Sequence, residues 1–449
     1  MKPLLNNRLL LILFFSFLLA LSACRKEEKI IAPTEDFSGE VANKWFDLAR
    51  KITKETPGFT PPVAARAYAY TGVALYEAVV NGSDNYQSLA GQINGLSTAA
   101  LTKPDLDAEY HWGLVANSCL ADMLRKLYAP ASAANMTRID SLYAAIEQTL
   151  ATGFDAEVVT ISVDYGKTVA AQMYAYSTTD GQDKCYQNNF PASYVLPTGP
   201  GFWVPTPPAF LNAMQPYWGN VRPFVSTNIT HTQPQTPIPF STNVASPFYA
   251  QALEVYNTRQ NLTPEQEKIA QFWSDDPGNT ATPPGHSVAI ATQALRKQNA
   301  NLAVSAETYA KIGMGVHDAF VSCWRCKYQF NLLRPVTYIQ QHIDPSFSPV
   351  LITPPFPEFT SGHSVQAAAC ATLLTNLFGN NFAFTDSTHV SRTDIDGSPR
   401  YYASFEAAAQ EAAISRLYGG IHYREAIDKG IMQGKQIGEN IAQLLQFKQ

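Results

Sequence analysis

Val63-Ala-Ala-Arg-Ala-Tyr-Ala-Tyr-Thr-Gly-Val-Ala-Leu-Tyr-Glu-Ala-Val-Val80 sets the fold class, because its apolar residues recur at helical spacing. The same spacing returns around Leu114 to Leu127 and Ile139 to Leu150, so the chain from Val41 to about Tyr176 reads as helical. From about Cys185 to Pro247 prolines, glycines and aromatics replace the periodicity. A long irregular segment inside a compact protein is usually functional or disordered. The aromatic content favours an ordered lid, with a structural wrap as the alternative. Helical patterning resumes from Pro264 to Trp273 and, after the loop at Asp275-Asp276-Pro277-Gly278, from Gly285 to Phe330. Further helices are expected from Ser361 to Leu377, Ser404 to Tyr418 and Glu425 to Phe447. Alternating strand patterns are nearly absent. The expectation is an all-α protein with an N-terminal bundle over 41–178, an irregular lid or wrap over 179–260 and a C-terminal bundle over 261–449. Thr71-Gly-Val-Ala-Leu-Tyr-Glu-Ala78 faintly resembles Ile312-Gly-Met-Gly-Val-His-Asp-Ala319, as a pair of related bundles or chance would give.

Ahead of this lies an export signal: Lys2 and Arg8, an apolar stretch from Leu9 to Leu21, then Ser22, Ala23 and Cys24. Its apolar core is shorter than the roughly 20 residues that span a bilayer. The Leu-Ser-Ala-Cys ending resembles the lipobox of bacterial lipoproteins, which implies removal of residues 1–23 and lipidation of Cys24. Residues 24–40 read as a tether, and Arg25-Lys26-Glu27-Glu28 resembles the tag of surface-displayed lipoproteins. The expectation is an exported protein of the cell envelope at the outer membrane, attached only through its lipid. A net charge of −5 leaves no basic footprint for nucleic acid. Cys119, Cys185, Cys323, Cys326 and Cys370 are an odd set with no disulfide framework, and Cys323-Trp-Arg-Cys326 sits within an expected helix without a redox-type strand before it.

Chemistry concentrates in three pieces. In Lys327-Tyr-Gln-Phe-Asn-Leu-Leu-Arg334-Pro335 the two cations would share one helix face roughly 10 Å apart, with Pro335 discouraging further helix. In Pro354-Pro-Phe-Pro-Glu-Phe-Thr-Ser-Gly-His363, Ser361 offers a hydroxyl and Gly362 an open backbone N–H at a helix start, a position that favours anions, with His363 beside them. In Ser415-Arg-Leu-Tyr-Gly-Gly-Ile-His-Tyr-Arg-Glu-Ala-Ile-Asp428, Gly419 and Gly420 can turn the chain and bring Arg416 and His422 to one point from two helices. Solvated charges and a plain helix cap explain each piece alone; together they describe an oxyanion pocket. His111, His231, His342 and His389 have no metal-site spacing, His286 reads as structural, and His317 with Asp318 reads as a satisfied core pair. Asp275 or Asp276 could pair with Arg416.

These residues resemble the signature of the vanadium haloperoxidase and type 2 phosphatidic acid phosphatase superfamily, Lys-x6-Arg-Pro, Pro-Ser-Gly-His and Ser-Arg-x5-His-x3-Asp. Thr360 replaces the proline of the second part, and Ala426 stands where the final aspartate is expected. Glu425, Asp428 or a backbone carbonyl could take over the orienting role of that carboxylate. Trp324, Phe356, Phe272-Trp273 and Thr282-Pro-Pro-Gly-His286 resemble the haloperoxidase branch, although core packing also accounts for such aromatics. The resemblance implies two packed bundles of the vanadium chloroperoxidase type and a vanadate cofactor. It implies that Lys327, Arg334, Ser361, Gly362, His363 and Arg416 surround the cofactor, with His422 as axial ligand to the metal. It further implies His363 as acid and base for hydrogen peroxide, Lys327 as the group that polarises it, and Trp324 and Phe356 beside the halide. Similar bacterial lipoproteins include iodide-specific enzymes, which ranks iodide first, bromide second and chloride last. The rival is an acid phosphatase working through a phosphohistidine at the same site.

Overall fold

The computed structural model describes residues 32–105 and 107–449; Cys24, the signal and the start of the tether lie outside the described residues. The helices are α1 (Glu40–Glu55), α2 (Pro61–Val79), α3 (Trp112–Leu127), α4 (Ala133–Leu150), α5 (Ala156–Ser177), α6 (Thr227–Thr230), α7 (Pro247–Gln260), α8 (Pro264–Phe272), α9 (Thr282–Lys297), α10 (Leu302–Phe330), α11 (Pro335–His342), α12 (Gly362–Phe378), α13 (Phe405–Tyr418) and α14 (Arg424–Leu444). A short antiparallel pair, β1 (Phe384–Asp386) with β2 (Arg400–Tyr402), is the sheet among the described residues. None of these helices is long and apolar enough to cross a membrane.

Periodicity explains the faces. α1 buries Ala42, Trp45, Phe46, Ala49 and Ile52 while its charged residues face out, the stripe of an amphipathic helix. α2 starts at Pro61, whose missing N–H costs nothing at that position, and is buried along nearly its whole length. It packs on α10 at a close approach set by two glycines: a Cβ on Gly72 would stand 2.4 Å from the Tyr309 carbonyl oxygen, and one on Gly313 2.7 Å from Cα of Ala69. Each of these glycines belongs to one of the two faintly similar segments and meets the residues just before the other.

Three expectations change. The helix expected from Gly285 to Phe330 is two helices, because Asn299 turns left-handed at φ 48° and Asn301 caps a new start by accepting from the Val304 N–H. The segment expected to be irregular through residue 260 contains α7, whose Ser246 cap and Pro247 start were the signals, and which buries Phe248, Ala252 and Val255. Lys327 and Arg334 do not share a helix face: α10 ends at Phe330, Asn331 adopts φ 47°, and Arg334 lies extended as the residue before α11, where Pro335 begins a helix. A second apolar cluster, including Phe248, Leu333, Ile339, Phe359, Leu417 and Tyr423, supports that stretch from behind.

Candidate active site

α10, the loop leading into α12 and the α13–α14 turn deliver one side chain group each to a common point. Lys327, in the last turn of α10, is fully buried and donates to the carbonyls of Pro357 and Glu358 at 3.0 Å each and to that of Thr360. Its ammonium has three donors, so all are engaged by the 357–360 loop. Burial pushes its pKa down to about 8. Arg334 is equally buried; Nε donates to the Phe356 carbonyl at 2.9 Å and Nη1 to the Ile421 carbonyl at 2.8 Å. The Phe356 ring lies 5.0 Å from both cations, a cation–π contact that holds them together away from water.

His422 is in the turn between α13 and α14, placed there by Gly420 at φ 75°, rather than on the second helix as expected. Its Nδ1 donates to Glu358 Oε1 at 2.8 Å, and the same oxygen accepts the Tyr423 N–H at 2.9 Å. Arg334 Nη1 lies 3.1 Å from His422 Nε2, and an arginine only donates, so Nε2 carries the lone pair. Glu358 therefore fixes the tautomer that a metal ligand requires. This carboxylate was missed in the sequence, although it is the one acid in the Pro354–His363 run. Of the substitutes considered, Glu425 accepts instead from the Ile238 N–H at 2.9 Å and pairs with Lys429, and Asp428 is exposed. Burial raises the Glu358 pKa to about 7 and, with the Arg334 and Lys327 charges, holds His422 well below the usual imidazole range.

Ser361 caps α12 by accepting the Ser364 N–H, and Gly362 and His363 open that helix. The main chain of Trp273 hydrogen-bonds His363, whose Nε2 is left without a partner. Desolvation and the charge of Arg416 depress this histidine strongly. Arg416 Nη1 donates to the Trp273 carbonyl at 3.2 Å; burial lowers its pKa to about 10, with Asp276 and then Asp275 as the opposing charges. Arg416, Gly362, His363 and His422 line a cavity of about 340 Å³ together with Trp324 and Phe356, whose rings are 4.8 Å apart. Lys327, Arg334 and Ser361 are fully buried behind this lining.

Nearby, His286 lies between Asp275 at 2.8 Å from Nδ1 and Asp386 at 2.7 Å from Nε2. His389, which spacing did not connect with any site, reaches Asp275 at 3.3 Å, and the ligand atoms of Asp275, His286 and His389 lie within 4.8 Å of one another. With both nitrogens committed to carboxylates, His286 has no lone pair for a cation and remains structural. His317 contacts the Arg222 carbonyl at 3.3 Å and Asp318 receives the Phe224 and Val225 N–H groups, so both serve the core. All five described cysteines are buried and unpaired.

The donor set defines what fits. Arg334 Nη2 and Arg416 Nε are buried donors without partners, and burial depresses the pKa of all three buried cations. A tetrahedral oxyanion would satisfy these donors and leave one lone pair, His422 Nε2, for its central atom. Comparison with known proteins agrees. The family model for the VCPO second helical-bundle domain matches residues 307–448. No curated protein matches the chain. A bacterial vanadium-dependent iodoperoxidase crystal structure is 37% identical at a TM-score of 0.82, covering 92% of this chain and 97% of its own. The holo form of a bacterial vanadium-dependent chloroperoxidase shares the fold at 14% identity, with a TM-score of 0.65 over 86% of this chain and 92% of its own. The chain belongs to the vanadium-dependent haloperoxidases, enzymes that use vanadate to oxidise halide with hydrogen peroxide.

Proposed function

We propose that this haloperoxidase prefers iodide, then bromide, and that His422 is the ligand to vanadium. The observation that carries the reading is the Nε2 lone pair of His422, fixed by Glu358 and set among unpaired buried donors. Arg334, Arg416 and the Gly362 N–H hold the oxyanion, with Ser361 completing the cradle at the α12 N-terminus. Lys327 adds charge and braces the 357–360 loop; a direct bond from it to the oxyanion exchanges one of its three carbonyl partners. Bound vanadate supplies a Lewis acid that makes peroxide electrophilic without a change of metal oxidation state.

His363 Nε2, neutral and unpartnered, accepts a proton as peroxide arrives and returns it to the water that leaves. Halide loses two electrons, peroxide gains them, and one proton is consumed for each hypohalous acid formed. Trp324 and Phe356 give the halide an apolar, polarisable approach, which favours the largest and most easily oxidised of the halides. The 37% identity to an iodoperoxidase supports the same ranking.

Orthovanadate added to the purified soluble domain should switch on peroxide-dependent oxidation of iodide above bromide above chloride. Phosphate-ester hydrolysis inhibited by vanadate, without halide oxidation, would overturn the assignment in favour of a phosphatase. We also propose that Cys24 carries a lipid that anchors the enzyme to the outer membrane. A Cys24→Ser variant should then move from the membrane to the soluble envelope fraction.

A further inference from the structure

Asp47, Arg50, Lys51 and Lys54 recur on α1 at the i, i+3, i+4, i+7 spacing that puts them on one helix face, turned away from the buried stripe. That face looks across a cleft of about 380 Å³ at the Asn279–Ala281 turn and at the loop after β1, residues 388–392. His286 and His389, both buried, form the floor. The cleft shares Asp275 with the catalytic cavity and no other residue.

Cations outnumber acids on these walls: Arg50, Lys51, Lys54, Arg392 and His286 stand against Asp47, Glu55 and Asp275. Each acid is already matched. Asp47 pairs with Arg50 at 3.2 Å and with Arg296 at 2.8 Å, and Glu55 pairs with Arg138. Asp275 has His286 at 2.8 Å on one oxygen and His389 at 3.3 Å on the other. No acid of the cleft is left for Lys51 and Lys54, which stand exposed at its rim. Asp394, beside the cleft, accepts from Arg392 Nε at 3.0 Å and Nη2 at 2.6 Å and leaves Nη1. Two buried donors therefore lack an acceptor: Arg392 Nη1, on a side chain only 7% exposed, and Arg50 Nε. A guanidinium only donates, and a buried N–H without an acceptor costs stability. The missing acceptors are absent from the folded chain, and the surplus charge beside them specifies an anion rather than water.

We infer that this cleft is a second anion site, separate from the catalytic cavity, and that it takes a tetrahedral dianion, phosphate or sulfate. Arg392 and Arg50 present planar donors suited to two oxygens of one such ion, and Lys51 and Lys54 close over it as point charges. The volume admits the ion with several waters, each taking about 30 Å³. A halide offers two guanidinium groups no separate oxygens, so the cleft favours an oxyanion over the halide substrate. An ion held here stabilises the fold by mass action without occupying the place of vanadate.

Calorimetric titration at constant ionic strength tests this, with protein that carries one equivalent of orthovanadate so that the catalytic pocket is filled. Sodium sulfate and sodium phosphate are separate arms, and sodium chloride is the control. One oxyanion should bind per chain along a saturable curve, and the thermal midpoint should rise with it. Arg392→Gln and Lys54→Gln should each weaken binding roughly tenfold, the scale of one charge-assisted contact. Lys54 is exposed, so its variant carries the test if Arg392→Gln folds poorly. Saturation by either oxyanion supports the site, and the tighter arm names the ion. Stabilisation that grows without saturating, equally in wild type and both variants, is the general exclusion effect of these salts and overturns the inference. Equal affinity for chloride overturns it as well. None of these outcomes depends on halide oxidation.

Discussion

His422 and His286 are both buried, each with a carboxylate 2.8 Å from Nδ1, and they differ in what faces Nε2. Opposite His422 Nε2 is the guanidinium of Arg334; opposite His286 Nε2 is a second carboxylate, Asp386. A neutral imidazole has one donor and one acceptor, so one acid and one arginine match it fully. Two acids match only the imidazolium. The His286 pKa is accordingly raised to about 10 by Asp275 and Asp386 against the opposing effect of burial, whereas burial and three cations push His422 far down. The second carboxylate decides between a salt bridge and a neutral ring with a lone pair on Nε2.

The two regions are mechanically joined. The His286 ring stacks on Trp273 with centroids 4.4 Å apart, and the Trp273 carbonyl accepts from Arg416. The ionic clamp thus fixes the strut on which one cation of the pocket rests. The largest expected effect comes from removing the proposed vanadium ligand. His422→Ala should abolish vanadate-dependent halide oxidation by roughly a thousandfold or more, exceeding the ten- to hundredfold cost typical of groups behind a ligand. Initial rates of triiodide formation at saturating vanadate measure it, and activity within tenfold of wild type would sink the assignment. His286→Gln should spare the chemistry per folded molecule and instead destabilise the protein by about 3–5 kcal/mol, because two buried carboxylates lose their shared cation. Denaturant unfolding reads that loss; an unchanged midpoint would break the contrast.

How much of this was legible in the sequence follows from distance along the chain. Lys327, Arg334, Ser361, Gly362, His363, Arg416 and His422 lie in three short motifs, each carrying its own spacing. The helices were legible too, since their apolar periodicity is local, and errors fell where one asparagine cap or left-handed turn interrupts a run. Contacts between motifs were not. Glu358 was in plain view, yet nothing local says that an acid flanked by Pro357 and Phe359 turns inward to His422, 64 residues later. The family pattern places an orienting carboxylate on the helix after His422, where Glu425 faces the Ile238 N–H instead. Asp386 meets His286 across 100 residues, a pairing set by how β1 lies against α9 and by no motif. Nor did spacing reveal that Lys327 spends its donors on the loop beneath the pocket.

A smaller change sharpens the role of the single carboxylate. Glu358→Gln keeps an acceptor for Nδ1–H but loses the charge and admits the flipped amide, which would donate to Nδ1 and place the proton on Nε2. Vanadate affinity should fall roughly ten- to hundredfold, the range for groups that orient a metal-bound histidine. Titration of the apo-protein with orthovanadate, read by recovered activity, checks this. Recovery at wild-type concentrations would mean that Arg334 alone sets the tautomer.

The smallest effect is a slope. Because His286 is raised from its ordinary 6.5 to about 10, the folded protein holds a proton there that the unfolded chain releases. The clamp's contribution is complete below pH 6.5 and is lost as pH rises through 10. Two groups in the pocket interfere at the edges of that window. Glu358, raised to about 7, makes stability fall with pH up to there, and Lys327, lowered to about 8, makes it rise with pH above there. Between pH 7 and 8 the His286 proton therefore dominates, and one pH unit costs wild type up to about 1.4 kcal/mol that His286→Gln does not pay. Unfolding free energies of both proteins at the two pH values, measured without vanadate, give the difference of slopes. Equal slopes would show that His286 is neutral in the fold and that a second carboxylate does not make the histidine an ion.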